Sequence, residues 1–268
     1  MAPAAMPVSR PAHISCFGVI RSWGRKKAIV GRMMTGMPKD RLDLKLLRRT
    51  FVVRANEAFI GAFAIDLLSC MHAEAPGARL CFTAEGEEDV AALREGRIDL
   101  DIGVQGPTGP EVKTQALFQE HFVGIVNSRH DLCKGRVTAK RFAALSHIVA
   151  SRRGIAQGPV DHALARLGCS RRVAMIVPSH TSALDIVAQS DLVGTVPATL
   201  AERAVREQRA IQMFKLPFET SGLSIGQAWH PRHDADPAHR WLRSKIREVC
   251  RTATRADRGK FTLVVGST

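Results

Sequence analysis

The chain has 268 residues, 45% of them apolar, which is enough for one or two domains with a substantial core and too apolar for a disordered chain. Its formal charge of +14 first suggests nucleic acid, but residues 1–54 carry +10, residues 243–268 carry +5 and residues 55–242 carry −1. Basic ends on a neutral body exclude, by composition, a DNA-reading surface over the middle of the chain.

No apolar run reaches the roughly 18–20 residues of a membrane span. The stretch 14–20 (ISCFGVI) is short for a signal core, is followed by RSWGRKK and has no A-x-A cleavage site. The expectation is a cytoplasmic protein with no membrane partner. Six cysteines are scattered without a C-x-x-C or metal spacing, so free thiols are predicted, with a Cys133/Cys169 redox pair as the alternative.

Residues 1–48 read as a basic, loosely ordered leader, rich in Pro, Met and Arg over 1–45. No two adjacent amphipathic helices with a short turn are found there, so no helix-turn-helix is assigned. Arg25, Lys26 and Lys27 read as a solvated tail, with phosphate contact as the alternative. Residues 50–55 (TFVVRA) are predicted as a strand. Asn56 and Glu57 open a helix through residue 75, with Phe59, Phe63, Leu67 and Met71 on one face. A strand is expected over 78–84, a short helix over 87–95 closed by Gly96, and a strand over 98–104. This β-α-β-α-β order, with connections too long for hairpins, indicates a parallel sheet.

A turn-rich loop follows at 106–110, and residues 117–126 lead through one strand. Helices are predicted over 138–144, 158–167, 182–189 and 197–206, and strands over 147–150, 172–177, 193–196 and 211–215. Ser182 and Asp185 have capping-box spacing. In 223–247, small residues alternate with Leu223, Ile225 and Gln227, and Trp229 closes the strand. His230-Pro231 stops it, and Asp236-Pro237 starts a helix with Leu242, Ile246 and Val249 on one stripe. Two α/β units and a late return predict lobe I at 49–125 plus 223–252, lobe II at 126–222, a cleft between them and a tail at 253–268. A stray strand is noted at 261–265. Trp241 is expected to pack inside, where truncation to Ala costs about 3–5 kcal/mol if fully buried.

Several stretches in order carry a family resemblance: LRRTFVVRANEAFIGAF, LLSCMHAEAPGARLCF, ALREGRIDLDIGV, ALFQEHFVGIVNSRHDL and AWHPRHDADPAHRWLR. From about Arg48 to Arg251 the chain resembles the effector-binding domain of LysR-type transcriptional regulators. The resemblance implies a two-lobed type 2 periplasmic-binding-protein-like α/β fold, each lobe a mostly parallel sheet flanked by helices. It also implies a small-molecule effector in the cleft and a homo-oligomer. Such regulators begin with a winged helix-turn-helix of roughly 60 residues, whereas 1–48 here is shorter and lacks the pattern. The DNA-reading head is thus expected to be missing from this chain, with DNA a partner only if a head is supplied. A solute-binding protein of a transport system shares the fold and is the alternative.

Effector contacts are expected at strand-to-helix junctions, where free N–H groups attract anions. These are Asn56, Glu57, Gln105, Ser151, Arg152, Ser179, His180 and Thr181, which match the loops around the effector in the family. As the plainer alternatives, Asn56, Ser179 and Ser182 are helix caps, Gln105 a solvated loop residue, Glu57 a complement to the helix dipole, and Arg152 and Arg153 water-facing. Glu57 is set against an acidic effector unless Arg152 offsets it. Ten histidines carry no catalytic motif, so no enzyme activity, no catalytic residue and no cofactor are expected. The turn holding His230, His233, Asp234, Asp236 and His239 reads as an exposed polar connection and not as a metal site. Asp99 and Asp101 are expected to make hydrogen bonds at a sheet end.

Overall fold

A computed structural model describes residues 42–84, 91–106, 109 and 111–257. The basic run at 25–27, Cys16, the first residues of the helix expected over 87–95, part of the 106–110 loop and the strand expected at 261–265 lie outside the described residues. The elements begin with β1 (Thr50–Ala55), α1 (Glu57–Glu74), β2 (Arg79–Thr83), α2 (Ala91–Glu95), β3 (Leu100–Val104) and β4 (Lys113–Glu120). Then come β5 (Phe122–Asn127), α3 (Ala139–Ala143), β6 (Ser146–Ala150), α4 (Pro159–Arg166), β7 (Arg172–Val177), α5 (His180–Val187), β8 (Val193–Pro197), α6 (Ala198–Arg206) and β9 (Ile211–Phe214). Last among the described residues come β10 (Leu223–Trp229) and α7 (Pro237–Asp257).

Two five-stranded sheets result, in the orders β2-β1-β3-β10-β4 and β7-β6-β8-β5-β9. The first three strands of each order pair in parallel. β10 runs antiparallel to both its neighbours, as does β5 in its sheet, so a single strand of each sheet opposes the rest. The crossings explain this. β4 ends at Glu120 and β5 starts at Phe122, so His121 alone links the sheets on the way out. The chain returns after β9 and enters β10 at Leu223, directly opposite Glu120. The sequence predicts a single strand, HFVGIV, within 117–126, where the structure has two, β4 and β5. The half-buried, partly charged run KTQALFQE of β4 lacks a strong apolar alternation, and only pairing with β10 makes it a strand.

Burial follows the expected stripes. Phe59, Phe63 and Leu67 of α1 pack with β1 and β3, Met71 is buried as well, and Leu242, Ile246 and Val249 of α7 join the same core. Asn56 caps α1, its Oδ1 accepting from the Phe59 N–H at 2.8 Å. Asp236 caps α7, accepting from the N–H groups of Ala238 and His239 at 2.9 and 3.2 Å. Asp99 Oδ2 accepts from the Val52 N–H at 2.8 Å, and Asp101 pairs with Arg54 at 2.6 Å, so both carboxylates tie strands together.

Four expectations shift. Leu42 and Leu47, placed with the leader, pack against the lobe I core around a 3-10 turn at Leu44–Leu46. α7 continues to Asp257, past the expected end at 252. α5 begins at His180, two residues early, because Ser179 and not Ser182 is its cap. Trp241 is only partly buried, lying 6.3 Å from the Phe51 ring with Nε1 donating to Glu74 at 2.9 Å.

Leu242→Ala should therefore cost about 2–5 kcal/mol and Trp241→Ala about half the figure expected for full burial, read as shifts in urea midpoint. His147 is buried in lobe II, its ring 4.5 Å from that of Phe142, and burial pushes its pKa down to about 4. An unfolded histidine titrates near 6.5, so between about 6.5 and 4 the unfolded chain binds more protons and stability falls as pH drops. Unfolding at pH 7, 5.5 and 4 should show a loss of roughly 2–3 kcal/mol from this residue, absent in His147→Phe.

Candidate functional site

The two lobes face each other across a cavity of about 400 Å³. It opens where β1, β3, β6 and β7 end, at Ala55, Val104, Ala150 and Pro178. Carboxyl ends of parallel strands are where ligands sit in open α/β sheets, because helix N-termini and loops converge there. The walls are largely apolar, with Phe118 and Ile225 from lobe I and Phe122 and Pro197 from lobe II. The polar groups are Asn56, Glu57, Glu120, Arg152, His180 and Thr199.

Four of the eight expected residues, Asn56, Glu57, Arg152 and His180, thus line this cavity. Ser151 instead lines an adjoining recess of about 390 Å³ on the lobe II side, together with Arg152, Arg153 and His180. Its Oγ accepts from the Ile155 N–H at 2.9 Å, which shapes the turn. Gln105 lines neither: its side chain lies over Gly226, where a Cβ would come within 2.4 Å of Nε2, and its Oε1 accepts from Ser224 at 3.1 Å. Ser179 serves as the α5 cap, its Oγ accepting from the Ser182 N–H at 3.0 Å.

Thr181 and the backbone of His180 are engaged by the protein itself. Glu57, at the first turn of α1 in lobe I, reaches across to the N-terminus of α5 in lobe II. Its carboxylate accepts from the His180 N–H at 2.6 Å, the Thr181 hydroxyl at 2.7 Å and the Thr181 N–H at 3.3 Å. A carboxylate there satisfies orphan helix donors and the positive end of the helix dipole. The same flank of α1 is close-packed on lobe II. A Cβ on Gly61 would come within 3.0 Å of Leu200, Ala58 joins the lobe II core, and Asp66 pairs with Arg203 at 3.0 Å.

Glu120 and Thr199 also line the cavity, and the sequence does not single them out. Burial pushes the Glu120 carboxyl up, while hydrogen bonds from Thr199 and the His121 N–H oppose the shift. Thr199 follows the β8 strand and opens α6, the same junction type used to choose the other candidates, so that rule extends to it. Glu120 has no such signal, because it ends a strand at the interlobe crossing. Burial also pushes the His180 imidazole down, against the pull of Glu57, and its Nδ1 is buried without a partner.

The histidine-rich turn brings Asp99, His233 and His239 within reach of one ion. Both nitrogens of His239 are engaged, Nε2 with the Asp99 carbonyl at 2.9 Å and Nδ1 with Arg243 at 2.6 Å. A cation would have to displace Arg243, so the group does not fit a metal. His233 and His239 stack at 4.6 Å with 7° between their planes. Burial raises the Cys133 thiol, the opposite of what a redox-active pair with Cys169 needs.

Two α/β lobes joined by two adjacent crossings, with a cavity between their strand ends, define a two-lobed ligand-binding domain of the type 2 periplasmic-binding-protein class. The family model of the LysR substrate binding domain matches residues 45–251, and the chain belongs to that family. It is 30% identical over 206 residues to the HTH-type transcriptional regulator LinR of Sphingobium indicum, covering 76% of this chain and 67% of LinR. It is 26% identical to the HTH-type transcriptional activator NahR of Pseudomonas putida, covering 73% of this chain and 65% of NahR. The regulatory domain of MexT, a transcriptional activator in Pseudomonas aeruginosa, matches with a TM-score of 0.64 at 25% identity, covering 76% of this chain and 98% of that one. The chain spans about two thirds of the length of LinR and NahR. The family is one of transcriptional regulators and the matched region is their effector-binding domain. Among the described residues no helix is long and apolar enough to cross a membrane.

Removing the Glu57 carboxylate orphans α5 donors and cuts one tie between the lobes. Glu57→Ala should lose about 1–2 kcal/mol in urea unfolding, with Glu57→Gln losing less because it keeps an acceptor. A Glu57→Ala midpoint equal to wild type would mean that the bridge contributes nothing.

Proposed function

We propose that the cavity between the lobes receives a small metabolite and that its occupancy sets the angle between them, so that the domain reports the metabolite to the transcription machinery. In this reading residues 49–120 with 223–252 move as one body and 122–222 as the other, the boundary expected at 125 moving back because β5 pairs with β8 and β9. His121 and the segment after β9 act as the hinge. Asn56, Glu57, Arg152 and His180 contact the effector directly, while Ser151, Ser179 and Thr181 shape the loops around it. The observation that carries this is the cavity itself: lined by both lobes, apolar in its walls, with a few polar groups converging at strand ends. A ligand touching both lobes favours one interlobe angle over another, which is all a population shift needs. The reading places the domain in a cytoplasmic homo-oligomer that meets DNA through a helix-turn-helix head, as in the regulators it resembles.

The test is a thermal-shift screen of small metabolites, including aromatic compounds, amino acids and sugars. A true effector at about a hundred times its Kd adds roughly 2.7 kcal/mol, or roughly 5–10 °C in Tm. Small-angle scattering of the same complex should show a changed radius of gyration. A screen without any hit would sink the sensor reading.

A further inference from the structure

Three of the six polar groups of the interlobe cavity, Glu57, Glu120 and His180, present acceptors, and Asn56 spends its Oδ1 on the α1 cap. Glu57 already occupies the place an anion would seek, the N-terminus of α5, with three donors around its carboxylate at 2.6 to 3.3 Å. Glu120, 5% exposed, brings a second carboxyl to the same cavity, and both its oxygens accept from lobe II or the crossing, through Thr199 and the His121 N–H. His180 lines the same cavity, and its Nδ1 is buried without a partner. Arg152 is exposed at the mouth, where water and salt screen it. In the adjoining recess Arg171 is bound to Asp161 at 2.8 and 2.9 Å. An incoming carboxylate would meet Glu57 at the helix N-terminus, and two like charges in contact at a partly desolvated site repel strongly.

We propose that the cleft selects a compact, mainly apolar ligand that carries a hydrogen-bond donor and no carboxylate, and that Glu57 is the residue that sets this choice. The inference rests on the cleft being the effector site. Glu57 acts as a built-in carboxylate: it fills the anion position at α5 and turns the remaining polar face of the cavity into one that accepts hydrogen bonds. A ligand donor then finds the Glu57 carboxylate or His180 Nδ1, while its apolar body fills the space between Phe118, Phe122 and Ile225. Replacing Glu57 by threonine frees the α5 donors and removes the charge, so the same cavity should admit an acid.

Two isosteric pairs of probes test this: benzamide against benzoate, and phenylacetamide against phenylacetate. Binding is measured by calorimetry on wild type, Glu57→Thr and Glu57→Gln, with a melting curve of each variant to establish folding. Wild type should bind the amides at least ten times more tightly than the acids. Glu57→Thr should gain at least tenfold for the acids and lose most of its preference for the amides. Glu57→Gln, which keeps the shape and drops the charge, should fall between them. Wild type binding an acid as tightly as its amide overturns the ligand class and leaves the sensor reading standing. If no variant binds any probe and the metabolite screen is also blank, the sensor reading and the ligand class fall together.

Discussion

The insertion of β10 between β3 and β4 is the constraint on which the rest depends. Its antiparallel pairing with β4 places Leu223 opposite Glu120, so the chain's exit from lobe I and its return lie side by side. Lobe II is thereby held by two neighbouring strands of one sheet. On the proposed hinge the lobes tilt about that line, with the cavity between the same strand ends. Trp229 fixes the far end of β10: Nε1 donates to Asp234 at 2.7 Å, and the Arg243 guanidinium lies 4.2 Å above its ring. That couples β10 to α7, whose apolar stripe then seals the lobe I core.

A second set of contacts limits the tilt. Along one flank, α1 meets lobe II through Glu57, Ala58, Gly61 and Asp66. Small residues at positions 58 and 61 allow close approach, and the two acids supply polar ties. Any change of interlobe angle must rearrange these contacts, and the Glu57 bridge is the one that also borders the cavity. On the proposed reading, ligand chemistry and lobe geometry meet at this one side chain.

Much of the fold was legible because it rests on local periodicity. The α1 stripe of Phe59, Phe63, Leu67 and Met71, the Asn56 and Asp236 caps and the turn at Gly96 each follow from residues within one or two turns of each other. β4 was not legible, since a half-exposed strand such as Lys113–Glu120 owes its existence to a partner more than a hundred residues away. Ser179 and Ser182 are equally good caps in isolation, and Glu57 reaching across to the His180 and Thr181 N–H groups favours the first. Gln105 looked like a junction residue and is one, but the absence of a side chain on Gly226 draws it down onto the sheet and away from the cavity.

By itself, the sequence determined two α/β units, a late return to the first and a set of polar strand-to-helix junctions, because apolar spacing, caps and turn residues act over short distances. Only the tertiary structure decided which junctions share a cavity, that Glu120 and Thr199 join it, and that Glu57 spends its carboxylate on the opposite lobe. Those facts depend on which chain ends the packing brings together, and a hydrogen bond between residues 57 and 181 leaves no trace in the spacing of either segment.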